Sequence, residues 1–125
     1  MHEIVSTTKA PGPYPTLSQA VVYNGLVFCS GSLGMNPETK TLVEGSIKDR
    51  TTQSLNNLKA VLEAANSSIN KVLKVTVYVT AIEDVPALNE AYNAFFPEPR
   101  PARACVCVKE LARGTDVEIE CVGYV

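Results

Sequence analysis

The sequence predicts an α+β fold, a mixed β-sheet with two helices packed on one face. Three observations predict it. Positions 47–65 carry apolar residues at helical spacing, positions 72–80 alternate apolar with polar, and Asn24-Gly25 joins two short apolar runs. The 125 residues suffice for one domain, 1–125, with its own core.

Taken in order, residues 10–18 hold three prolines and read as a loop. Gln19 to Tyr23 and Leu26 to Ser30 read as strands joined at Asn24-Gly25, a pair suited to a type I′ hairpin turn. Gly31 to Gly45 reads as a loop. Ser46 is a candidate N-cap for a helix whose inner stripe is Ile47, Thr51, Leu55, Leu58, Leu62 and Ala65, and Asn66-Ser67-Ser68 ends it. In the strand Val72 to Thr80, Leu73, Val75, Val77 and Val79 face one way. Asp84 is placed to cap a second helix that has Pro86 in its first turn and runs to about Phe96. The three prolines of 97–101 break that helix. Ala104 to Lys109 and Asp116 to Tyr124 read as the last strands.

The hairpin predicts something about assembly. Pairing Tyr23 with Leu26, Val21 with Phe28 and Gln19 with Ser30 leaves Ala20, Val22, Val27 and Cys29 on the other face. Both faces are apolar, which predicts burial on both sides. Two helices cover only one. A symmetric homo-oligomer is the simplest cover for the second, the alternative being a sheet that curls on itself.

Composition excludes several function classes. The net charge is −2 and no run of Lys or Arg marks a phosphate-binding stripe, which argues against nucleic acid as a partner. No apolar stretch approaches a membrane span, and Met1-His2-Glu3-Ile4-Val5 does not read as a secretory or transit signal, so the expected location is cytoplasmic. Cys29, Cys105, Cys107 and Cys121 lie in strand-like runs without a Cys-x-x-Cys, and Cys29 and Cys121 read as small buried hydrophobes. His2 is the only histidine, so Ser-His-Asp and Cys-His nucleophile systems lack their central part.

Arg103 stands out inside an otherwise apolar strand, Pro101-Ala102-Arg103-Ala104-Cys105-Val106-Cys107-Val108. A guanidinium keeps its charge, and burying it unpaired costs roughly 3–5 kcal/mol. Pairing the last two strands as an antiparallel hairpin by polarity sets Val106 across from Ile119 and Val108 across from Val117. Cys105 then lies across from Glu120, with Arg103 one diagonal step away. One face would carry a cation, a carboxylate and a thiol. Two readings stay open: an ion pair that fixes subunit register, or a pocket for a small carboxylate with a glutamate to handle a proton or a water.

These residues resemble the YjgF/RidA family of reactive-intermediate deaminases. The resemblance rests on Pro101-Ala102-Arg103 before a Val/Cys strand, on Val117-Glu118-Ile119-Glu120, and on Gly12-Pro13-Tyr14, Ser18-Gln19-Ala20, Ser30-Gly31 and Lys74-Val75-Thr76-Val77-Tyr78 in matching order. It implies a chorismate-mutase-like fold, a homotrimer with clefts at subunit boundaries, and no metal or organic cofactor. It also implies hydrolysis of enamines and imines, such as 2-aminoacrylate and 2-iminobutanoate, to 2-oxo acids and ammonia. Carried over, Arg103 would clamp the substrate carboxylate. Gly31 would offer a backbone N–H with Ser30 close by, Glu120 would orient the attacking water, and Cys105, Asn89 and Tyr14 would line the pocket. Family members also occur in mitochondria, and the family has been credited with chaperone-like and ribonuclease activities, so a non-catalytic trimer binding small carboxylates or client proteins is the alternative. One departure matters. Pro15-Thr16-Leu17 intervenes before Ser18-Gln19 and displaces Tyr14 from its expected place.

Overall fold

The computed structural model describes residues 1–125. Strands β1 (Glu3–Val5), β2 (Ala20–Tyr23) and β3 (Leu26–Leu33) precede helix α1 (Ile47–Ala64). Strand β4 (Val72–Val79), helix α2 (Val85–Phe95), and strands β5 (Ala102–Cys107) and β6 (Val117–Tyr124) follow. All six strands form one sheet in the order β1-β2-β3-β6-β4-β5. The β4-β5 pair is parallel and the rest antiparallel, so the sheet is mixed as expected. No helix is long and apolar enough to cross a membrane.

The β2-β3 hairpin has the predicted register, Tyr23 with Leu26 and Val21 with Phe28. Asn24 and Gly25 have φ of 50° and 76°, the two left-handed residues a type I′ turn needs. Two features go beyond expectation. Residues 3–5 add an edge strand, pairing Glu3 with Val22 and Val5 with Ala20. Strand β3 also runs past Gly31 to Leu33, where a loop was expected.

Helix α1 begins at Ser46, whose backbone N–H donates to Asp49 Oδ2 at 2.8 Å, the reciprocal half of a capping box. Its buried stripe contains the predicted residues plus Ser54, Asn57 and Val61. The two polar ones are used. Ser54 Oγ donates to the Ser32 carbonyl at 2.7 Å, and Ser32 Oγ donates back to the Ser54 carbonyl at 2.8 Å. Asn57 Nδ2 donates to the carbonyls of Leu33 and Met35 at 3.2 and 2.8 Å. Leaving a buried amide or hydroxyl unpaired is costly, so these bonds pin α1 to the end of β3. Asp84 occupies the predicted N-cap of α2, yet its carboxylate makes no capping bond, because a turn of 3₁₀ helix at Ile82–Asp84 leads directly into the helix.

The expected β5-β6 hairpin does not form. Strand β5 lies parallel to β4, with Val75 opposite Arg103 and Val77 opposite Cys105. Strand β6 lies on the other side of β4, with Val75 opposite Cys121, Thr76 opposite Glu120 and Tyr78 opposite Glu118. The reason is topological. Helix α2 is a crossover connection, which returns the chain parallel to β4. Residues 108–116 then carry it past β4 to the gap beside β3. In β4, a register shift between Val72 and Lys74 turns Val72 inward and leaves Leu73 exposed, contrary to the predicted stripe.

Both helices pack on one sheet face. Val75, Val77, Val79, Val117, Ile119 and Leu55 there are wholly buried, each worth roughly 1.5–3 kcal/mol of transfer free energy. Cys29 and Cys121 pair across β3-β6 on this face, and their mutual hydrogen bond followed by burial pushes the Cys121 thiol up, as expected of small inert hydrophobes. The opposite face has no covering element. Ile4, Phe28 and Val106 stand on it at 58%, 45% and 43% exposure.

One ion pair ties α1 to the start of β6. Arg50 Nε and Nη2 donate to the two carboxylate oxygens of Asp116 at 2.7 and 2.8 Å, and Nη1 donates to the Gly45 carbonyl at 3.1 Å. This bidentate hydrogen bond, and then the Arg50 charge, hold the Asp116 carboxyl below its ordinary range against the opposing effect of burial. Arg50→Ala should therefore destabilise the fold by about 1–3 kcal/mol at pH 7. Because the folded pKa is depressed, the pair's contribution is complete above the unfolded value, about pH 4, and is lost as pH falls through the folded value. Urea melts of wild type and Asp116→Asn should differ less at pH 3 than at pH 7. A gap independent of pH would contradict this assignment.

Candidate active site

The predicted site residues fall into two groups that a single chain does not bring together. The first lies around a bulge in β3. Cys29 pairs with Cys121 and Ser32 with Ile119, so Ser30 and Gly31 together oppose only Glu120. A Cβ at Gly31 would collide with the Glu118 carboxylate, so a side chain there would push that carboxylate aside. The Glu118 carboxyl thus lies against the Gly31 backbone. Ser30 is fixed by its N–H donating to the Gln19 carbonyl at 3.0 Å and its Oγ donating to the Ser18 carbonyl at 2.6 Å. Gln19 is buried, and Nε2 donates to the carbonyls of Thr7 and Pro11 at 3.0 and 2.9 Å, holding the N-terminal loop on the sheet.

These elements enclose a cavity of about 400 Å³, lined among others by Tyr14, Leu17, Ser30, Gly31, Arg113 and Glu118. Tyr14 does reach it. A tight turn, in which the Leu17 N–H donates to the Tyr14 carbonyl at 3.3 Å, folds the inserted residues back so that Tyr14, Pro15, Thr16 and Leu17 all stand on the cavity wall. The Tyr14 hydroxyl is buried with no partner. Arg113 stands at φ 59°, a left-handed conformation uncommon for a residue with a side chain.

The second group lies on the other side of the sheet, on β5 and α2. Arg103 Nη2 donates to Asn89 Oδ1 at 2.7 Å, and its guanidinium carbon sits 4.5 Å from the centre of the Tyr92 ring. Burial raises the Tyr92 phenol pKa, opposed by the positive charge of Arg103. Cys105, two residues on, shares this face and is half-buried. No carboxylate of the chain lies within 4 Å of the Arg103 guanidinium, since the four ion pairs use Lys48, Arg50, Lys59 and Arg100.

Glu120 belongs to neither group as the sequence suggested. Strand β4 separates it from Arg103, and it points to the opposite face, where it accepts a hydrogen bond from Tyr78 at 2.8 Å. Arg103 and Gly31 are three strand spacings apart, about 14 Å. Glu118 is the carboxylate at the cavity. Burial raises its pKa first, and the Glu120 charge raises it further. Alternation alone puts Glu118 and Glu120 on one face without choosing between them, and the bulge at Gly31 makes the choice. No three His, Cys, Asp or Glu side chains cluster as a metal site.

A family model described as Endoribonuclease L-PSP matches residues 7–125. A protein of Dermatophagoides farinae named 2-iminobutanoate/2-iminopropanoate deaminase is 41% identical over 119 residues, covering 95% of this chain and 93% of its own. The crystal structure of RidA from the Antarctic bacterium Psychrobacter sp. PAMC 21119 superposes with a TM-score of 0.94 at 44% identity, covering 98% of this chain and 99% of that one. Escherichia coli TdcF with bound serine superposes with a TM-score of 0.93 at 33% identity, covering 98% of each chain. Matched from Thr7 to its last residue, and related along almost its whole length to named deaminases, this chain belongs to the Endoribonuclease L-PSP family, the YjgF/RidA proteins.

Proposed function

We propose that the protein hydrolyses 2-imino acids and their enamine tautomers to 2-oxo acids and ammonia, at sites completed between subunits of a homotrimer. The observation that carries this reading is Arg103. It is half-buried, oriented by Asn89 and Tyr92, and without a carboxylate of its own chain. A substrate carboxylate would answer it with two parallel N–H···O bonds. The other half of the chemistry lies at the cavity, where Glu118 carries an upshifted carboxyl. Bringing Arg103 of one subunit to the cavity of the next would also cover the apolar sheet face that the chain leaves bare. The named deaminase relative supports the reaction class, and the serine bound to TdcF supports a site for small amino-acid-like carboxylates.

The steps ask little of the protein. A protonated imine is electrophilic, so a fixed substrate and one acid–base group suffice. Glu118 would accept a proton as water adds to the imine carbon, the C=N electrons moving to nitrogen. It would return that proton to the nitrogen, and as the C–N bond breaks and the carbonyl forms it would take the hydroxyl proton and pass it to the departing ammonia, which leaves as ammonium. A carboxyl held above the usual glutamate range gives up and takes back a proton more readily than an ordinary one. Glu120 is a positioning residue here: held by Tyr78, its charge raises the Glu118 pKa. A ribonuclease, as the family description reads, gains no support from a chain of net charge −2 whose single histidine is the exposed His2.

Release of 2-oxobutanoate from enzymatically generated 2-iminobutanoate should rise well above the buffer rate. Arg103→Ala should lower kcat/KM about 100-fold. Glu118→Gln should lower kcat by roughly 10²–10⁴, while Glu120→Gln costs only a fewfold. If wild type binds 2-oxobutanoate but adds nothing to the rate, the protein is a carboxylate binder. In an NMR titration Glu118 should ionise above the usual glutamate range, and Glu120→Gln should bring it down. An unshifted Glu118 would remove the acid–base role.

A further inference from the structure

We infer that Cys29 and Cys121 form a disulfide site: when the chain folds in contact with a low-molecular-weight disulfide, the two close a cross-strand bond between β3 and β6. Without such an oxidant they remain a buried dithiol. The inference is independent of the imine reading. The two residues are direct partners in the β3-β6 ladder, and both are buried on the face that the helices cover. Their thiols share a hydrogen bond. The other two cysteines have no such partner. Cys105 and Cys107 stand in line on β5 opposite Val77 and Val79, so neither faces another thiol.

The ladder supplies the geometry. The Val125 N–H donates to the Gly25 carbonyl at 3.0 Å, which makes 25 and 125 a hydrogen-bonded pair. Alternation along the antiparallel ladder gives the same character to 27–123 and to 29–121. The Ser30 N–H agrees: it donates to Gln19 on the β2 side, so the Cys29 amide points toward β6. Hydrogen-bonded partners have Cα atoms about 5.5 Å apart, within the roughly 4.4–6.8 Å that a disulfide spans. Their Cβ atoms sit at the wide end of what the bond allows, so it closes with added local twist and stays readily reducible.

Folding decides when the bond can form. In the folded protein the mutual hydrogen bond, and then burial, hold the Cys121 thiol above its ordinary range. Thiolate is the attacking species in exchange, so the folded pair is shielded. In the open chain both are ordinary cysteines. One thiolate attacks a sulfur of oxidised glutathione and expels a glutathione thiolate. The second attacks the resulting mixed disulfide and expels the other. Two protein thiols are oxidised, one external disulfide is reduced, and the two protons end on the glutathione thiols. The bond would join the strands at the foot of the bulge, one residue from Ser30 on β3 and one from Glu120 on β6.

The test is refolding of the full chain from urea in a buffer of reduced and oxidised glutathione, followed by alkylation and peptide mapping. Cys29 joined to Cys121 should be the main product, with Cys105 and Cys107 alkylated. The bond closes a loop of about 90 residues, so the oxidised protein should unfold at a urea midpoint higher by about 1 M or more. Dithiothreitol should erase that difference, and Cys121→Ser protein carried through the same refolding should show none. Reduced protein that is already folded should acquire the bond at least about tenfold more slowly in the same buffer. Refolded chains that keep both thiols, that link mainly through Cys105 or Cys107, or whose 29–121 bond lowers the midpoint would overturn the inference. So would folded protein that links as fast as the refolding chain.

Discussion

Val75, in the middle of β4, faces Cys121 across one ladder and Arg103 across the other, and this double register decides where every charge of interest points. Because Val75 faces the helices, Arg103 does too, and it meets Asn89 and Tyr92 of α2. Because Thr76 and Tyr78 face away, Glu120 and Glu118 face away with them. A shift of one residue along either ladder would reverse these assignments and expose the valines of β4. The burial of those valines therefore holds the guanidinium and the carboxylates on opposite sides of one sheet.

Such a separation makes little sense for an ion pair within the chain and good sense for a site shared between copies. The cavity at the β3 bulge has a carboxyl with a raised pKa, and the β5 edge has a cation with only a neutral amide and a ring for company. The apolar outer face supplies a physical reason for copies to associate, and the exposed edge of β5 ends in Val106 and Cys107. Assembly and chemistry would then have one cause. The buried bonds of Ser54 and Asn57 to β3 contribute by holding the bulge rigid, which fixes the Gly31 backbone against Glu118.

Local patterns were legible in the sequence, and long-range pairing was not. Asn24-Gly25 announced its turn, Ser46 and Pro86 announced their helices, and the bare apolar face followed from the hairpin register and the number of helices. Polarity suggests a β5-β6 pair that does not form, because neighbours in sequence need not be neighbours in space and α2 commits β5 to lie parallel to β4. Arg103, Asn89 and Cys105 were recognisable together, as were Ser30 and Gly31. The choice of Glu118 at the cavity was not, since it depends on one extra residue in β3 that polarity cannot reveal. The polar stripe of α1 was equally hidden, because Ser54 and Asn57 look solvent-facing until their carbonyl partners are known.

The central claim is that each site draws Arg103 from one subunit and Glu118 from another. Mixing Arg103→Ala with Glu118→Gln protein, after dissociation and reassembly, tests it most directly. Random hybrid trimers regain an intact site at about a quarter of their boundaries, so imine hydrolysis should return to about a quarter of the wild-type rate. A mixture no more active than the sum of the two separate variants would contradict the claim.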